Sequence, residues 1–278
     1  MNFEKMVKMS QKTLKTAVAA ELTALGYEVE SAKGFLYAPG DVPVLLVAHL
    51  DTVHRRRVKN IFYSKSKRRM TSPEGIGGDD RCGVYIILEV LKKHKCHVAF
   101  CEDEEIGCVG ARALAATGFK PEVNYLVELD RRGKNDAVFY QCDNPEFTKF
   151  ICDQGFEHKY GSFSDIAALA PSFGLAAVNI SAGYFNEHTT KEFVDLEIMK
   201  SMISRISSMV QIPTKLFPFI EKQYFRYRKA YSSQTSLGGW DSDKKESSEI
   251  KKMLIPLHKT SSVNINGQRV LHTGPLYC

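Results

Sequence analysis

Residues 42–51 read VPVLLVAHLD and combine two features that organise the rest of the chain. Residues 42–48 form a continuous apolar run of strand length, which is typical of a central strand covered on both faces of a sheet. His49 and Asp51 follow at the carboxyl end of this run. The stretch therefore predicts a buried strand that brings polar side chains to one edge of a sheet.

The rest of the chain alternates between strand-like and helix-like patterns. Further strands are predicted at residues 27–30, 35–37, 97–101, 125–129, 137–141 and 176–180. Helices are predicted at residues 3–25, 80–94, 111–117, 164–170 and 191–210. This alternation predicts an α/β fold with a mainly parallel mixed sheet flanked by helices.

The composition is typical of a soluble globular protein, with 44% hydrophobic and 25% charged residues. No apolar run approaches the roughly 20 residues of a membrane helix, and the first residues lack a secretory signal pattern, so a cytoplasmic location is expected. The net charge is +6, and most of the basic excess lies in residues 216–278. A nearly neutral body does not indicate nucleic-acid binding. The seven cysteines contain no CxxC pair, which argues against a disulfide scaffold or a cysteine-type zinc site.

Histidines and carboxylates recur near the ends of the predicted strands. Asp79 opens a helix, Glu104 and Glu105 follow the strand at 97–101, Asp130 follows the strand at 125–129, and His188 follows the strand at 176–180. The carboxyl edge of an open parallel sheet is where ligands bind, so we expect these side chains to converge there. With His49 they offer more ligands than one catalytic zinc takes from a protein, which suits two metal ions sharing a carboxylate.

Each of these residues also has an ordinary structural explanation. His49 could be a satisfied core histidine, and Asp79 or His188 could cap the helix that follows. Residues 102–105 could form a solvated acidic turn, and Asp130 could pair with a neighbouring arginine. The order of all five segments along the chain, rather than any one of them, favours a metal site.

Five motifs resemble, in order and separation, the metal motifs of the co-catalytic zinc exopeptidases, a group that includes vibrio-type leucyl aminopeptidases, peptidase T, tetrahedral aminopeptidases and acetylornithine deacetylase. They are AHLDTV at 48–53, GGDDRCG at 77–83, EDEEIG at 102–107, ELD at 128–130 and GYFNEHT at 183–189. The spacing between these motifs is too short for the additional domains that some members of this group insert between them. The resemblance therefore implies a catalytic core without a lid domain at residues 1–215. The composition of residues 216–278 predicts a basic, partly loosely ordered extension.

The resemblance also implies a ligand set for two divalent ions, most commonly zinc, although manganese or cobalt suits such ligands too. Asp79 would be shared by both ions, His49 and Asp130 would complete the ligands of one, and Glu105 and His188 those of the other. The Asp79–Asp80 peptide bond is expected to be cis, as it is in the family.

Two further roles follow from the same resemblance. Glu104 would be the general base that takes a proton from the water bridging the metals and passes it to the leaving amine. Asp51 would hydrogen-bond His49 and fix its tautomer. The implied reaction is hydrolysis of a peptide or other amide bond.

Several further residues are candidates for binding substrate. Tyr160, Ser162 and Tyr184 carry hydroxyl groups that could stabilise an oxyanion, and Asp165 could hold a substrate amine, although packing or helix capping is the commoner role for such residues. Arg81, Arg131 and Arg132 directly follow ligand candidates and could favour an acidic substrate or a free carboxylate.

Three functions remain open from the sequence. The first is an aminopeptidase-like exopeptidase acting on peptides, and the second is a deacylase acting on N-acyl amino acids. The third is a binding module that has kept the fold and lost turnover, which an intact Glu104 argues against. Neither nucleic acid nor a membrane is expected as a partner, and an oligomer is possible.

Overall fold

The computed structural model describes residues 1–223 together with the strands at 262–265 and 268–271. The chain divides into two compact units, Met1–Tyr224 and Phe225–Cys278. None of the described helices combines the length and apolarity needed to cross a bilayer. The division between domain and extension at residue 215 stays a prediction.

The first unit contains twelve strands among its described residues. In chain order they are β1 (Glu30–Ala32), β2 (Phe35–Ala38), β3 (Val42–His49), β4 (Phe62–Tyr63), β5 (Arg69–Thr71), β6 (Cys96–Cys101), β7 (Tyr125–Arg131), β8 (Asp136–Val138), β9 (Glu157–Lys159), β10 (Ala177–Ser181), β11 (Tyr184–Phe185) and β12 (Phe193–Asp195).

The helices of this unit cover the sheet or connect its strands. They are α1 (Phe3–Val7), α2 (Gln11–Ala24), α3 (Gly78–Leu91), α4 (Val109–Ala116), α5 (Pro145–Asp153), α6 (Asp165–Phe173) and α7 (Leu196–Met209). The second unit contributes an antiparallel pair, β13 (Ser262–Ile265) and β14 (Gln268–Leu271).

The main sheet has eight strands in the order β1-β2-β6-β3-β7-β10-β8-β9. Its centre is parallel, because β3 pairs in parallel with β6 and β7, and β7 pairs in parallel with β10. Antiparallel strands are added on both sides of this centre. A smaller antiparallel sheet has the order β11-β12-β5-β4. The predicted α/β fold with a mainly parallel mixed sheet flanked by helices is confirmed.

Strand β3 explains why the apolar run at 42–48 is continuous. Val44, Leu46 and Ala48 point into a core shared with α1, α2, α3, α5 and α7. Leu45 and Val47 point to the opposite face, into a core shared with α4 and α6. Both faces of the strand are therefore buried, as predicted.

The predicted single helix at 3–25 is wrong in one respect, since α1 and α2 are separate helices. The chain is interrupted at residues 8–10, and the hydroxyl oxygen of Ser10 accepts a hydrogen bond from the backbone N–H of Thr13 at 3.3 Å. Serine at a helix N-cap satisfies one of the free N–H groups of the first turn, so this residue starts a new helix.

Candidate metal centre

Three parallel strands of the main sheet end at the same edge and deliver acidic and histidine side chains to it. His49 is the last residue of β3, Glu104 and Glu105 follow β6, and Asp130 lies near the end of β7. Asp79 comes from the first turn of α3. Helix α3 lies directly on β7, because a Cβ added to Gly83 would be 2.2 Å from the carbonyl oxygen of Leu129.

Asp79 lies between the two histidines. Its Oδ1 is 3.1 Å from Nε2 of His49, and its Oδ2 is 3.2 Å from Nε2 of His188. Asp130 Oδ1 approaches the same nitrogen of His49 at 3.4 Å, and Glu105 Oε2 approaches that of His188 at 3.1 Å. The five side chains predicted as ligands are therefore gathered in two groups, one on each side of the Asp79 carboxylate.

The predicted cis peptide bond between Asp79 and Asp80 is present. Asp80 points away from Asp79: its oxygens accept the backbone N–H groups of His49 at 3.2 Å and Gly83 at 2.9 Å. Oxygens of Asp80 and Asp130 also lie within 4.8 Å of a nitrogen of His49. Because Asp80 already accepts two backbone hydrogen bonds, Asp79 is the better candidate for a shared ligand.

The ionisation of the two imidazoles indicates where positive charge is favoured. Burial opposes a charge on His49, but the carboxylates of Asp130, Asp51 and Asp79 outweigh it and raise its pKa well above the usual value. Hydrogen bonds to Asp79 and Glu105 raise the pKa of His188 to about 11. Each group of carboxylates thus favours a cation close to a histidine Nε2.

Two observations indicate that the side chains gathered here suit divalent metal ions. The buried Oε1 of Glu105 has no hydrogen-bond partner among the described residues. Across residues 1–223, no lysine or arginine forms an ion pair with Asp79, Glu105 or Asp130. The three carboxylates outnumber the two imidazoles beside them, so a cation would offset the remaining negative charge, and oxygen and imidazole donors suit zinc, manganese and cobalt.

Glu104 lies in the same cleft and belongs to neither group of ligand candidates. Its side chain is buried, and its Oε1 accepts a hydrogen bond from the thiol of Cys108 at 3.8 Å. Burial raises its pKa to about 9, helped by the charges of Asp130 and Asp165 and opposed by His49. Burial therefore makes Glu104 hold a proton more readily than an ordinary glutamate does.

Asp51 connects the AHLDTV segment at 48–53 with the EDEEIG segment at 102–107. One of its oxygens is 3.1 Å from Nδ1 of His49, and the two oxygens accept the backbone N–H groups of Glu104 at 3.0 Å and Glu105 at 3.1 Å. A carboxylate only accepts hydrogen bonds when ionised, so Nδ1 of His49 carries the proton and Nε2 is directed at Asp79 and Asp130.

Two supporting residues were missed by the sequence interpretation. Glu192 is fully buried and accepts the backbone N–H groups of Gly77 and Asp79, each at 2.9 Å. The side chain of Asn179 on β10 bonds both the backbone N–H and the backbone carbonyl of Asp130, each at 2.9 Å. An acidic residue four positions after a histidine, or an asparagine within a strand, is too common to be recognised from one sequence.

The weaker substrate-binding candidates differ in position. Tyr184 lines the cleft, and its hydroxyl donates to Asp130 Oδ1 at 3.1 Å. Tyr160 is 82% exposed and is absent from the cleft lining. Asp165 is fully buried, with no N–H or O–H donor for either oxygen among the described residues, and only the thiols of Cys101 and Cys108 beside it. The structure therefore does not bring Tyr160 or Asp165 to the surface of the cleft.

The cleft itself encloses about 160 Å³. It is lined by four ligand candidates from the sequence, by Glu104, and by residues that include Arg131, Arg132, Tyr140, Ser162 and Phe163. A larger cavity of about 740 Å³ lies around Tyr37 and His97 and contains none of the predicted site residues. The positions of the histidine and carboxylate side chains therefore locate the site, and the size of a cavity does not.

The fold and the position of this cleft define an α/β protein with a carboxylate–imidazole centre at the carboxyl edge of its sheet, the architecture of the co-catalytic zinc exopeptidases. The model of Peptidase family M28 matches residues 36–168. The resemblance to this group is thus confirmed. A comparison with curated protein sequences finds no match.

Solved structures share the fold at low sequence identity. Aminopeptidase PepT from Bacillus cereus is 15% identical with a TM-score of 0.63, and the match covers 75% of this chain and 96% of that one. The TET1 peptidase of Pyrococcus horikoshii is 14% identical, with a TM-score of 0.56 and coverage of 74% and 97%. A glutaminyl cyclase of Porphyromonas gingivalis is 14% identical, with a TM-score of 0.53 and coverage of 75% and 95%. The peptidase family match supports a metal-dependent peptidase.

Proposed function

We propose that this protein is a dinuclear metal-dependent exopeptidase, aminopeptidase-like, that hydrolyses a peptide bond with Glu104 as the general base. The observation that carries the proposal is the division of the two Asp79 oxygens between His49 and His188, at 3.1 and 3.2 Å. A carboxylate with one imidazole on each side suits a shared ligand for two cations.

In this proposal His49, Asp79 and Asp130 hold one ion, and Asp79, Glu105 and His188 hold the other, with zinc as the expected metal. Bound divalent cations supply Lewis acidity, which polarises the scissile carbonyl and favours ionisation of the attacking water. The remaining steps are performed by side chains of this chain.

Glu104 accepts the proton from the attacking water at a carboxylate oxygen and then donates it to the nitrogen of the leaving amine. A general base works best when its pKa lies near the working pH, and burial moves the pKa of Glu104 upward from that of an ordinary glutamate. Divalent cations beside it would oppose this increase. Asp51 keeps the proton of His49 on Nδ1, and Tyr184 orients Asp130.

The test uses the metal-loaded full chain, aminoacyl anilide and dipeptide substrates, and two matched glutamate variants. Glu104→Gln should lower kcat by about 10²–10⁴-fold while metal content stays at two ions per chain. Glu122→Gln changes an exposed glutamate outside the cleft and should retain full activity. Hydrolysis at the wild-type rate in Glu104→Gln would reject the mechanism.

A deacylase acting on N-acyl amino acids is the second candidate. Arg131 and Arg132 line the cleft, and a guanidinium group recognises a free carboxylate well. Such a carboxylate occurs on N-acyl amino acids and on dipeptides, so the arginines fit both functions. Comparing dipeptides that have a free amine with their N-acetyl counterparts separates them: an exopeptidase acting from the amino end requires the free amine.

Cytoplasmic location and oligomeric state also stay proposals. The TET1 peptidase of Pyrococcus horikoshii assembles into a tetrahedron or a large octahedral shell. This precedent supports testing the mass of the protein in solution by light scattering.

A further inference from the structure

A second cavity, distinct from the cleft, has a basic wall. It encloses about 220 Å³ and shares no lining residue with the cleft. It is bounded by the junction of α1 and α2, by the loop that follows Asp51, and by residues 75–77. Among the described residues its lining includes four arginines, Arg55, Arg56, Arg57 and Arg81, and no aspartate or glutamate. Four cations around one small space create a strongly positive potential.

Arg81 forms the buried part of this wall. The sequence interpretation offered it as a group that could favour an acidic substrate, but the side chain is 2% exposed and lines the second cavity instead of the cleft. Its Nη1 donates to the carbonyl oxygen of Leu50 at 2.6 Å and to that of Asp51 at 3.1 Å. Its Nε has no partner among the described residues. Its Nη2 donates to the carbonyl oxygen of Met9 at 3.4 Å. Nearby carboxylates such as Asp51 and Asp80 favour its charge, but none within residues 1–223 forms an ion pair with it.

Arg55, Arg56 and Arg57 are exposed at the edge of the cavity. None of them forms an ion pair or a side-chain hydrogen bond with any residue in the described range 1–223. Arg68, in the same basic part of the sequence, behaves differently and pairs with Asp195 at 2.8 Å. An ion pair within the protein therefore explains the presence of Arg68. No such pair in the described range explains the three consecutive arginines.

We propose that this cavity binds a small phosphorylated ligand, with Arg81 at its base and Arg55, Arg56 and Arg57 closing over the phosphoryl oxygens. The planar guanidinium group donates paired hydrogen bonds that match the oxygens of a phosphate. The hydroxyl groups of Ser10 and Thr52 also line the cavity and can donate to a phosphoryl oxygen.

The volume limits the size of the ligand. At about 30 Å³ for each water, 220 Å³ corresponds to on the order of seven waters. Pockets for drug-sized ligands enclose about 300–1,000 Å³. The cavity therefore suits inorganic phosphate or a phosphoryl group on a short organic chain, rather than a dinucleotide cofactor.

The experiment is a calorimetric titration of inorganic phosphate into the full chain, with ionic strength held constant by chloride. It is run with and without a chelator, since phosphate also binds metal ions. One saturable site should persist after chelation, which makes the result independent of the proposed peptidase activity. Binding that disappears with the metal, or that never exceeds the chloride control, would overturn the proposal.

Matched variants locate the site. Arg55→Gln combined with Arg57→Gln should weaken phosphate binding by about tenfold or more, because two charge-assisted contacts are lost. Lys65→Gln combined with Lys93→Gln removes the same charge from exposed residues outside the cavity and should change the Kd by less than about twofold. Equal weakening in both would show general electrostatic attraction and overturn the assignment.

A replacement variant and a second anion complete the phosphate titration. If circular dichroism shows that the double arginine variant is unfolded, the single variant Arg56→Gln replaces it with the same expected direction. Acetate replaces phosphate in a parallel titration and should not bind at comparable concentration. Acetate binding as tight as phosphate would contradict a phosphoryl ligand and identify a carboxylate instead.

Discussion

The buried carboxylate of Glu192 accepts the backbone N–H of Asp79 at 2.9 Å. Glu192 follows the GYFNEHT motif in the chain, and this hydrogen bond holds the backbone of the GGDDRCG motif. The same carboxylate accepts the N–H of Gly77 at 2.9 Å and lies 2.7 Å from Nε2 of His54. Three polar contacts to a fully buried side chain explain how the loop before α3 stays in one conformation.

Replacing Glu192 with glutamine should loosen the proposed metal centre without touching a ligand. The amide has one accepting oxygen and leaves a buried N–H unpaired, at a cost of about 1–3 kcal/mol in unfolding free energy. Zinc affinity should fall about 10–100-fold, as for other residues that orient ligands. A competition titration with a chromophoric chelator measures it. Glu197→Gln is the control, because Glu197 is 69% exposed on α7, pairs with Arg68 and does not line the cleft. Unchanged zinc affinity in Glu192→Gln would contradict the role.

Asp51→Asn should impair catalysis through the orientation of His49 and the third motif. The NH₂ group of asparagine would face the backbone N–H of Glu104 or Glu105, which Asp51 now accepts at 3.0 and 3.1 Å. We expect kcat/KM to fall about 10–100-fold with the fold preserved. The matched change Asp103→Asn affects a carboxylate that bonds Gln11 instead and should have a small effect. Equal losses in the two variants would point to a general disturbance of this loop.

Metal removal should destabilise the protein, because the carboxylates of the centre then repel one another. Zinc at 100 times its Kd adds about 2.7 kcal/mol by mass action. For a unit of this size that corresponds to an increase in Tm of roughly 5–10 °C, measurable by calorimetry before and after chelation.

His188→Asn is a suitable comparison for the same experiment. The His188 side chain is 52% exposed, and asparagine tolerates its φ of 63°, so the fold should survive. The variant loses one proposed ligand, so zinc should raise its Tm less than it raises that of the wild type. An equal increase in both proteins would exclude His188 from the site.

The sheet centre and the gathering of the metal motifs were predictable because their signals are local in the sequence. The run at 42–48 has no polar interruption, and β3 is buried on both faces. The carboxyl ends of parallel strands lie at one edge of a sheet, so His49 and Asp130 were expected at the same edge, although the strand order that makes β3 and β7 adjacent was not predicted. The cis bond after Asp79 came from the resemblance and not from any physical pattern in the chain.

Other features depend on contacts that no local pattern encodes. Glu192 is important only because the loop at 77–79 folds against it, and Arg81 lines the second cavity because α3 directs it away from the cleft. Helix α5 was missed: its N-cap Asn144 and the following Pro145 start a short helix, and only Phe147 and Ile151 of its residues are buried. Asp165 was a candidate for holding a substrate amine, yet its side chain is completely buried at the start of α6.

His97 on β6 should make the protein sensitive to mild acid, independently of the metal centre. Burial lowers the pKa of His97 below its usual value of 6.5, against the weaker opposing charges of Asp41 and Glu122. Its Nδ1 is 2.8 Å from the hydroxyl of Tyr37.

The sign of the effect follows from linkage. The folded protein binds a proton at His97 less readily than the unfolded chain does, so this residue contributes stability above pH 6.5 that is lost as the pH falls through 6.5 toward the lowered pKa. Urea unfolding of the chelated protein at pH 7.5 and 5.5 should show a larger loss for the wild type than for His97→Gln, which cannot titrate. Chelation removes the pH dependence of metal binding from the comparison. If both proteins lose the same free energy between these pH values, His97 is not a source of the acid sensitivity.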